Sequence, residues 1–312
     1  MSNKAAYKII CEQGRVPLFL QPWWLEAVCA EWDVVIAKKG DRVAGVWPYA
    51  IDKKIGVSIL RNPKLTPYLG PAVFFPADIK ESNADSFEHE TISELIKQLP
   101  EAKVWHLAIQ PGIKQAGIFK HSQLQATVQQ TFLLDLDATE EVLLSNIKDT
   151  ARRNIRQAEK EITISNDPAN LKDLYNFQKN TLENKGTFFA YSLADMQRLM
   201  DACIANRSAA LWVAKAGDVI QAIVWHVWDK DRSYYLMGGQ NHETNGYKAM
   251  TALLWHVIKD AKQKGHTTFD FEGSMDEGVE RFFRNFGARR DLYLVLQRND
   301  SMLWKLKKLV RK

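Results

Sequence analysis

Two stretches of this chain run in parallel: Ala37-Lys38-Lys39-Gly40-Asp41 leading into residues 43–47, and Ala214-Lys215-Ala216-Gly217-Asp218 leading into residues 219–225. In each, β-rich sequence stands on both sides of a Gly-Asp pair, the pattern of a β-hairpin. A repeat fixes the number of structural units before any single motif is interpreted. The chain, at 312 residues, is long enough for two domains.

Working outward from the second copy, Ser233-Tyr234-Tyr235-Leu236-Met237-Gly238-Gly239 reads as a strand, and residues 241–246 as a glycine-containing loop. Leu253, Leu254, Val257, Ile258 and Ala261 then recur at helical spacing over residues 250–264. A short strand over 268–272, a helix over 279–286 stopped by Gly287 and a strand over 292–296 complete the copy. The first copy offers a strand over 68–75, a helix over 92–99 and a strand over 104–109. Each half therefore reads hairpin, β, α, β, α, β, which makes the chain α/β (α+β) with mixed sheets flanked by helices.

Between the copies, residues 140–161 read as one long helix capped by Asp137 or Thr139. Leu144, Ile147, Ala151, Ile155 and Ala158 form its apolar stripe, with Lys148, Arg152 and Arg156 as a basic stripe beside it. Helical geometry is disfavoured before Pro168, so the expected organisation is a first domain over 1–138, a basic connecting helix over 139–166 and a second domain over 167–300. A basic amphipathic tail over 301–312 follows.

The formal net charge is +5, and five basic side chains with no acid fall between Lys305 and Lys312, so the rest of the chain is neutral. That distribution argues against nucleic-acid binding over the body of the protein. It suits either a solvated terminus or a short cationic helix on an anionic membrane surface, since Leu303, Leu306 and Leu309 or Val310 recur among the cations. An apolar content of 46% excludes disorder. No apolar run reaches the roughly 18 residues of a membrane span and the start carries no signal-peptide core, so the expected location is cytoplasmic. Cys11, Cys29 and Cys203 form no metal-ligand or disulfide pattern and read as small core residues. No histidine has a second ligand at metal-binding spacing; His226 and His106 read as satisfied core histidines.

The block Tyr235-Leu236-Met237-Gly238-Gly239, the helix to Lys264-Gly265, Phe269-Asp270-Phe271-Glu272-Gly273-Ser274 and Arg281-Phe282-Phe283-Arg284-Asn285-Phe286-Gly287 resemble the FemAB-like acyltransferases. So do Arg153-Asn154-Ile155-Arg156-Gln157-Ala158 and the opening Phe19-Leu20-Gln21-Pro22-Trp23-Trp24. The resemblance implies two tandem GNAT (acyl-CoA N-acyltransferase)-like domains and transfer of an acyl or aminoacyl group to a primary amine. It implies no tightly bound cofactor, with acyl-CoA or aminoacyl-tRNA as the donor substrate and a peptide-like or cell-envelope precursor as acceptor. Three departures bear on the peptidoglycan-bridge activity of the tRNA-dependent members. The family's Phe-Lys is Phe282-Phe283 here, with Arg284 one place later. Its phosphate-holding basic residues have no counterpart near residues 24–29 or 188–191, and its helical arm is missing.

Amide formation needs a group to take the amine's proton and donors for the developing oxyanion. Alternation over residues 268–272 places Asp270 and Glu272 on one face, Asp270 matching the family pattern and Glu272 standing where the family commonly has glycine. The candidate catalytic residues are Asp270, Glu272 and Tyr235, with Glu272 orienting or deprotonating the acceptor amine. Simple pairing of the two carboxylates with Arg281, Arg284 or Lys248 is the structural alternative. The resemblance places donor binding at Asn245, Gly246 and Lys248, ahead of a helix whose free N–H groups attract anions. Arg152, Arg156 and Arg284 are the candidate substrate-binding cations. Two rival readings stand: a tRNA-dependent peptidoglycan-bridge aminoacyltransferase, with tRNA as partner, and a non-catalytic binding module with a degenerate donor site.

Overall fold

The computed structural model describes residues 3–14, 16–54, 56–113, 115–244, 246–273 and 275–301. Asn245 and tail residues 302–312 lie outside them. Among the described residues no helix is long and apolar enough to cross a membrane.

Two compact units form, one from the chain up to Gln129 with the chain from Leu292 onward, the other from Gln130–Asp291. The first unit starts with α1 (Asn3–Glu12) and α2 (Pro22–Val28), followed by β1 (Trp32–Lys39), β2 (Arg42–Lys54), β3 (Val57–Arg61) and the two-residue β4 (Ala72–Val73). It continues through α3 (Glu81–Gln98), β5 (Val104–Ala108), α4 (Ala116–His121) and the start of β6 (Gln125–Asp135). The second unit holds α5 (Glu140–Asn146), α6 (Asp149–Ala158), β7 (Thr163–Asn166), α7 (Leu171–Asn184), α8 (Leu193–Ala205), β8 (Ala209–Ala216) and β9 (Val219–Trp228). It ends with β10 (Arg232–Gln240), α9 (Gly246–Gln263), β11 (Thr268–Asp270), α10 (Glu277–Arg284) and the start of β12 (Arg289–Asn299).

The repeat holds to the level of single residues. Hairpins β1–β2 and β8–β9 both shift register at the repeated motif, between Ala37 and Lys38 and between Ala214 and Lys215. Gly40 and Gly217 turn them at φ +60° and +56°, a left-handed conformation glycine adopts without steric cost. Trp47 and Trp225, at the end of each motif, are fully buried. After each hairpin comes a strand, a helix and a strand parallel to the first: β3 with β5 and β10 with β11.

The last strand of each repeat does not stay with its own repeat. In the first unit β5 is flanked by β12 from the chain's end, and in the second β11 is flanked by β6 from its middle, both antiparallel. The expected contiguous domains, 1–138 and 167–300, thus give way to units with exchanged closing strands. Hydrogen bonding completes either sheet equally well whichever repeat supplies the strand. Residues 139–166 lie within the second unit rather than between units. They form two helices with a break at Ile147–Lys148, capped by Thr139 through its side chain. The break resets the helical phase, so Leu143 is buried and the expected Leu144 is exposed. Ile147, Ala151 and Ile155 pack with the α9 face of Leu253, Leu254, Val257, Ile258 and Ala261. In the first unit the strand expected over 68–75 shrinks to β4, and β3, unanticipated, supplies the parallel partner.

Candidate active site

The site forms where two parallel strands stop pairing. β10 and β11 pair at Arg232 with Thr268, Ser233 with Phe269 and Tyr234 with Asp270, and the ladder ends there. Two features turn the strands apart. Leu236 is an extra residue between the β9 partners of Tyr235 and Met237, a bulge that bends β10. On the other side Phe271 donates its N–H to the Phe132 carbonyl at 2.9 Å, so the chain follows β6 instead of β10.

Glu272 and Gly273 then take left-handed conformations, φ +57° and +65°. At Gly273 a Cβ would lie 2.1 Å from the Gln130 carbonyl oxygen, so glycine is required by space as well as by φ. A left-handed Glu is uncommon and costs strain. The consequence is that the strand expected over 268–272 stops at Asp270 and the alternation argument for Glu272 fails. The Glu272 N–H nevertheless donates to Asp270 Oδ1 at 2.8 Å, and the Glu272 carboxyl feels the charge of Asp270.

Asp270 is fully buried. Its Oδ1 also accepts from the Thr131 hydroxyl at 2.6 Å, and its Oδ2 lies 3.6 Å from the Arg232 guanidinium. Burial raises the Asp270 carboxyl above the usual carboxylate range against those favourable partners. Burial raises Glu272 much further, and the charge of Asp270 adds to it. Among the described residues neither Glu272 Oε1 nor Asp270 Oδ2, both buried, has a hydrogen-bond partner. Arg281 pairs with Glu277 and Arg284 with Glu280, and Lys248 has no ion-pair partner among the described residues. Simple pairing of the site carboxylates with those cations is therefore not what the side chains do.

Tyr235 stands against Phe283 with ring centroids 5.6 Å apart. Its hydroxyl end lies over Gly238, where a Cβ would come 1.9 Å from the oxygen. Burial, then the charge of Glu272, pushes the Tyr235 hydroxyl upward, so it keeps its proton as a hydrogen-bond donor. Tyr191, between α7 and α8, feels the same two influences. Phe189, 5.3 Å from both Tyr191 and Tyr175, anchors that segment to α7. Sequence reasoning missed Tyr191, since it is distant in the chain and carries no motif.

Gly246 opens α9, and a Cβ there would meet the Asn241 carbonyl at 2.3 Å. The preceding loop is tied to β9: the Asn241 N–H donates to the Gln221 carbonyl at 2.8 Å and the Thr244 hydroxyl to Gln221 Oε1 at 2.5 Å. The basic stripe is not gathered at the carboxylates by any contact. Arg152 donates to the Ser145 carbonyl at 2.8 Å and pairs with Asp149, joining α5 to α6, while Arg156 is exposed.

The histidines differ from expectation. His106 is exposed on β5. His226 is buried, but neither ring nitrogen has a hydrogen-bond partner among the described residues; Nδ1 lies 3.5 Å from Asp260 Oδ2. Burial pulls it down to about 4, so the ring is neutral. Cys203 is buried and Cys11 and Cys29 are half-buried.

Residues 145–284 match the family model described as an acetyltransferase (GNAT) domain. The whole chain shares the fold of FemX, with a TM-score of 0.67 at 14% identity over 100% of this chain and 99% of that one. It is also similar to L-PGS from Bacillus licheniformis, TM-score 0.55 at 13% identity over 99% of this chain and 96% of that one. A tandem GNAT protein from the clavulanic acid biosynthesis pathway aligns with a TM-score of 0.52 at 9% identity over 92% of this chain and 98% of that one. No curated protein matches the chain significantly.

Proposed function

We propose that the protein is an N-acyltransferase that moves an acyl or aminoacyl group onto a primary amine of a peptide-like or cell-envelope precursor. The observation carrying this reading is the early end of the β10–β11 ladder at Tyr234 and Asp270, with Tyr235 one residue and Glu272 two residues beyond it. The donor carbonyl enters between the strands, its anionic carrier toward the N-terminus of α9 at Gly246 and Lys248.

Each residue has a task set by its proton affinity. The acceptor amine must lose a proton as its nitrogen attacks, and an ionised Glu272, made more basic than an ordinary carboxylate, accepts it. Tyr235 remains protonated and donates to the developing oxyanion or the leaving atom. Asp270 fixes Glu272 through its backbone N–H and is itself held by Thr131. Arg156 and Arg284 offer exposed charge to an anionic part of the acceptor, with Arg152 mainly joining α5 to α6.

Incubating the protein with labelled acetyl-CoA and, separately, with charged tRNA pools against an envelope-precursor extract tests the reading. Transfer from one donor, lost in Glu272→Gln, is the expected outcome. Transfer from neither donor refutes it in favour of a binding module.

A further inference from the structure

The two hairpins are followed by matching loops with different contents. Ala44, three residues past Asp41, stands where the second repeat has Gln221, three residues past Asp218. The Ala44 carbonyl accepts the Phe74 N–H at 2.8 Å, as the Gln221 carbonyl accepts the Asn241 N–H at 2.8 Å. An 18-residue helix comes after each loop, α3 in the first unit and α9 in the second. In the second unit the Gln221 side chain accepts from the Thr244 hydroxyl, which ties the loop down onto β9. Alanine offers no such tie, and the first unit's loop reads Phe74-Phe75-Pro76-Ala77 instead. A cleft of about 540 Å³ opens there, lined by first-unit residues alone and within the size range of small-molecule sites.

Its walls set an exposed ring beside an uncommitted cation. Phe75 and Phe87 line the cleft with centroids 5.7 Å apart, and Phe75 is 44% exposed although an aromatic ring gains from burial. Lys39 is already engaged: it pairs with Glu90 and holds its Nζ 4.5 Å from the Phe87 ring centroid. Arg42 lines the same cleft, is exposed and has no ion-pair partner among the described residues. The start of α3 carries its own acid, Glu81, which already compensates the positive end of that helix. Arg42 is therefore the group left to hold an anion.

We infer that this cleft is a ligand site of the first unit for a planar aromatic ring bearing an anionic group, the ring stacked on Phe75 and the acid gripped by Arg42. The Gln13 side chain, on the same wall, adds an amide donor. Aromatic rings stack face to face with an offset, and a guanidinium binds a phosphate or carboxylate through paired N–H donors. That shared chemistry has two sources, a nucleotide with its phosphate and an aryl carboxylate. The site is independent of the acyl-transfer reading, since none of its residues belongs to the second unit.

Equilibrium dialysis on the full chain tests the inference, with AMP against adenosine and indole-3-acetate against the neutral indole-3-acetamide. One anion should bind at least about tenfold more tightly than its neutral counterpart. Preference for AMP identifies a nucleotide, and preference for indole-3-acetate an aryl carboxylate. Arg42→Gln should abolish the preference, and Phe75→Ala should weaken charged and neutral probes alike by roughly tenfold. Both side chains are exposed, so the melting temperature should stay as in wild type. Glu272→Gln and Lys248→Glu should leave binding unchanged. Loss of binding in Lys248→Glu with Arg42→Gln unaffected places the ligand at α9 and overturns the inference. Equal binding of charged and neutral probes, or no binding of any probe, overturns it too. An Arg42-dependent preference in a chain that transfers from neither donor overturns only the acyl-transfer reading.

Discussion

The first unit contains the same strand divergence as the second and closes it. β3 and β5 pair in parallel at Ile59 with Val104, Leu60 with Trp105 and Arg61 with His106, three pairs as in β10–β11. The next residue is Asn62 in one unit and Tyr235 in the other. Asn62 stitches the gap: its amide donates to the carbonyls of Thr66, Pro67 and Ala108 at 3.2, 3.2 and 3.0 Å, and its oxygen accepts from the Ala108 N–H at 2.8 Å. The Leu69 N–H adds a bond to the same Ala108 carbonyl at 2.8 Å. Where the first unit has His106 and Ala108, the second has Asp270 and Glu272. One divergence is satisfied by its own chain; the other retains two buried carboxyl oxygens without a hydrogen-bond partner among the described residues. Unmet polar groups of that kind recur where a fold accommodates a reaction.

The largest expected difference between the two divergences lies in activity. Glu272→Gln should lower transfer by about 10²- to 10⁴-fold, the usual worth of a positioned proton acceptor, measured by single-turnover transfer from whichever donor is active. Asn62→Ala should leave that rate within about twofold, since it touches no residue of the second unit's site. A comparable loss in both variants would show that the first divergence also takes part.

Stability should reverse the ranking. Asn62→Ala strands several backbone groups and should cost about 2–4 kcal/mol in urea unfolding, at roughly 1 kcal/mol per lost bond. Glu272→Gln should cost little or raise stability at pH 8.

A smaller effect concerns pH. Glu272 and Asp270 are both raised above their unfolded values, so the folded protein holds protons that the unfolded chain has released. Their contribution is therefore intact below the ordinary carboxylate range and is lost as pH rises through the raised folded values. Glu272→Gln should flatten the fall in melting temperature between about pH 5 and pH 8, while Asn62→Ala should leave its slope unchanged.

The smallest expected change is at the exposed Arg156. Arg156→Glu should raise the acceptor KM several-fold with stability within about 0.5 kcal/mol of wild type. An unchanged KM removes this cation from the substrate-binding set.

Much of this arrangement was legible in the residues. The twin Gly-Asp motifs gave two hairpins of one design, and the spacing of Leu253, Leu254, Val257, Ile258 and Ala261 gave α9 its buried face. Asp270 and Glu272 were singled out as carboxylates on one face of a short strand, and Tyr235 on the strand before it. The reason offered for Glu272 was wrong, because alternation cannot foresee a backbone that turns left-handed two residues after its strand ends. The break at Ile147–Lys148 was hidden for a related reason: apolar spacing on both sides fits one helix nearly as well as two. Tyr191 lay beyond any local pattern.

By itself the sequence determined the local units: which segments pair as hairpins, which face of α9 is apolar and which residue types stand at each divergence. Those depend on neighbours a few positions apart. Only the tertiary structure decided which closing strand serves which unit and whether a divergence is filled or left open. β6 and β12 can complete either sheet by the same backbone bonds, and a carboxyl group becomes an unsatisfied one only when burial removes its water and the chain brings it no partner.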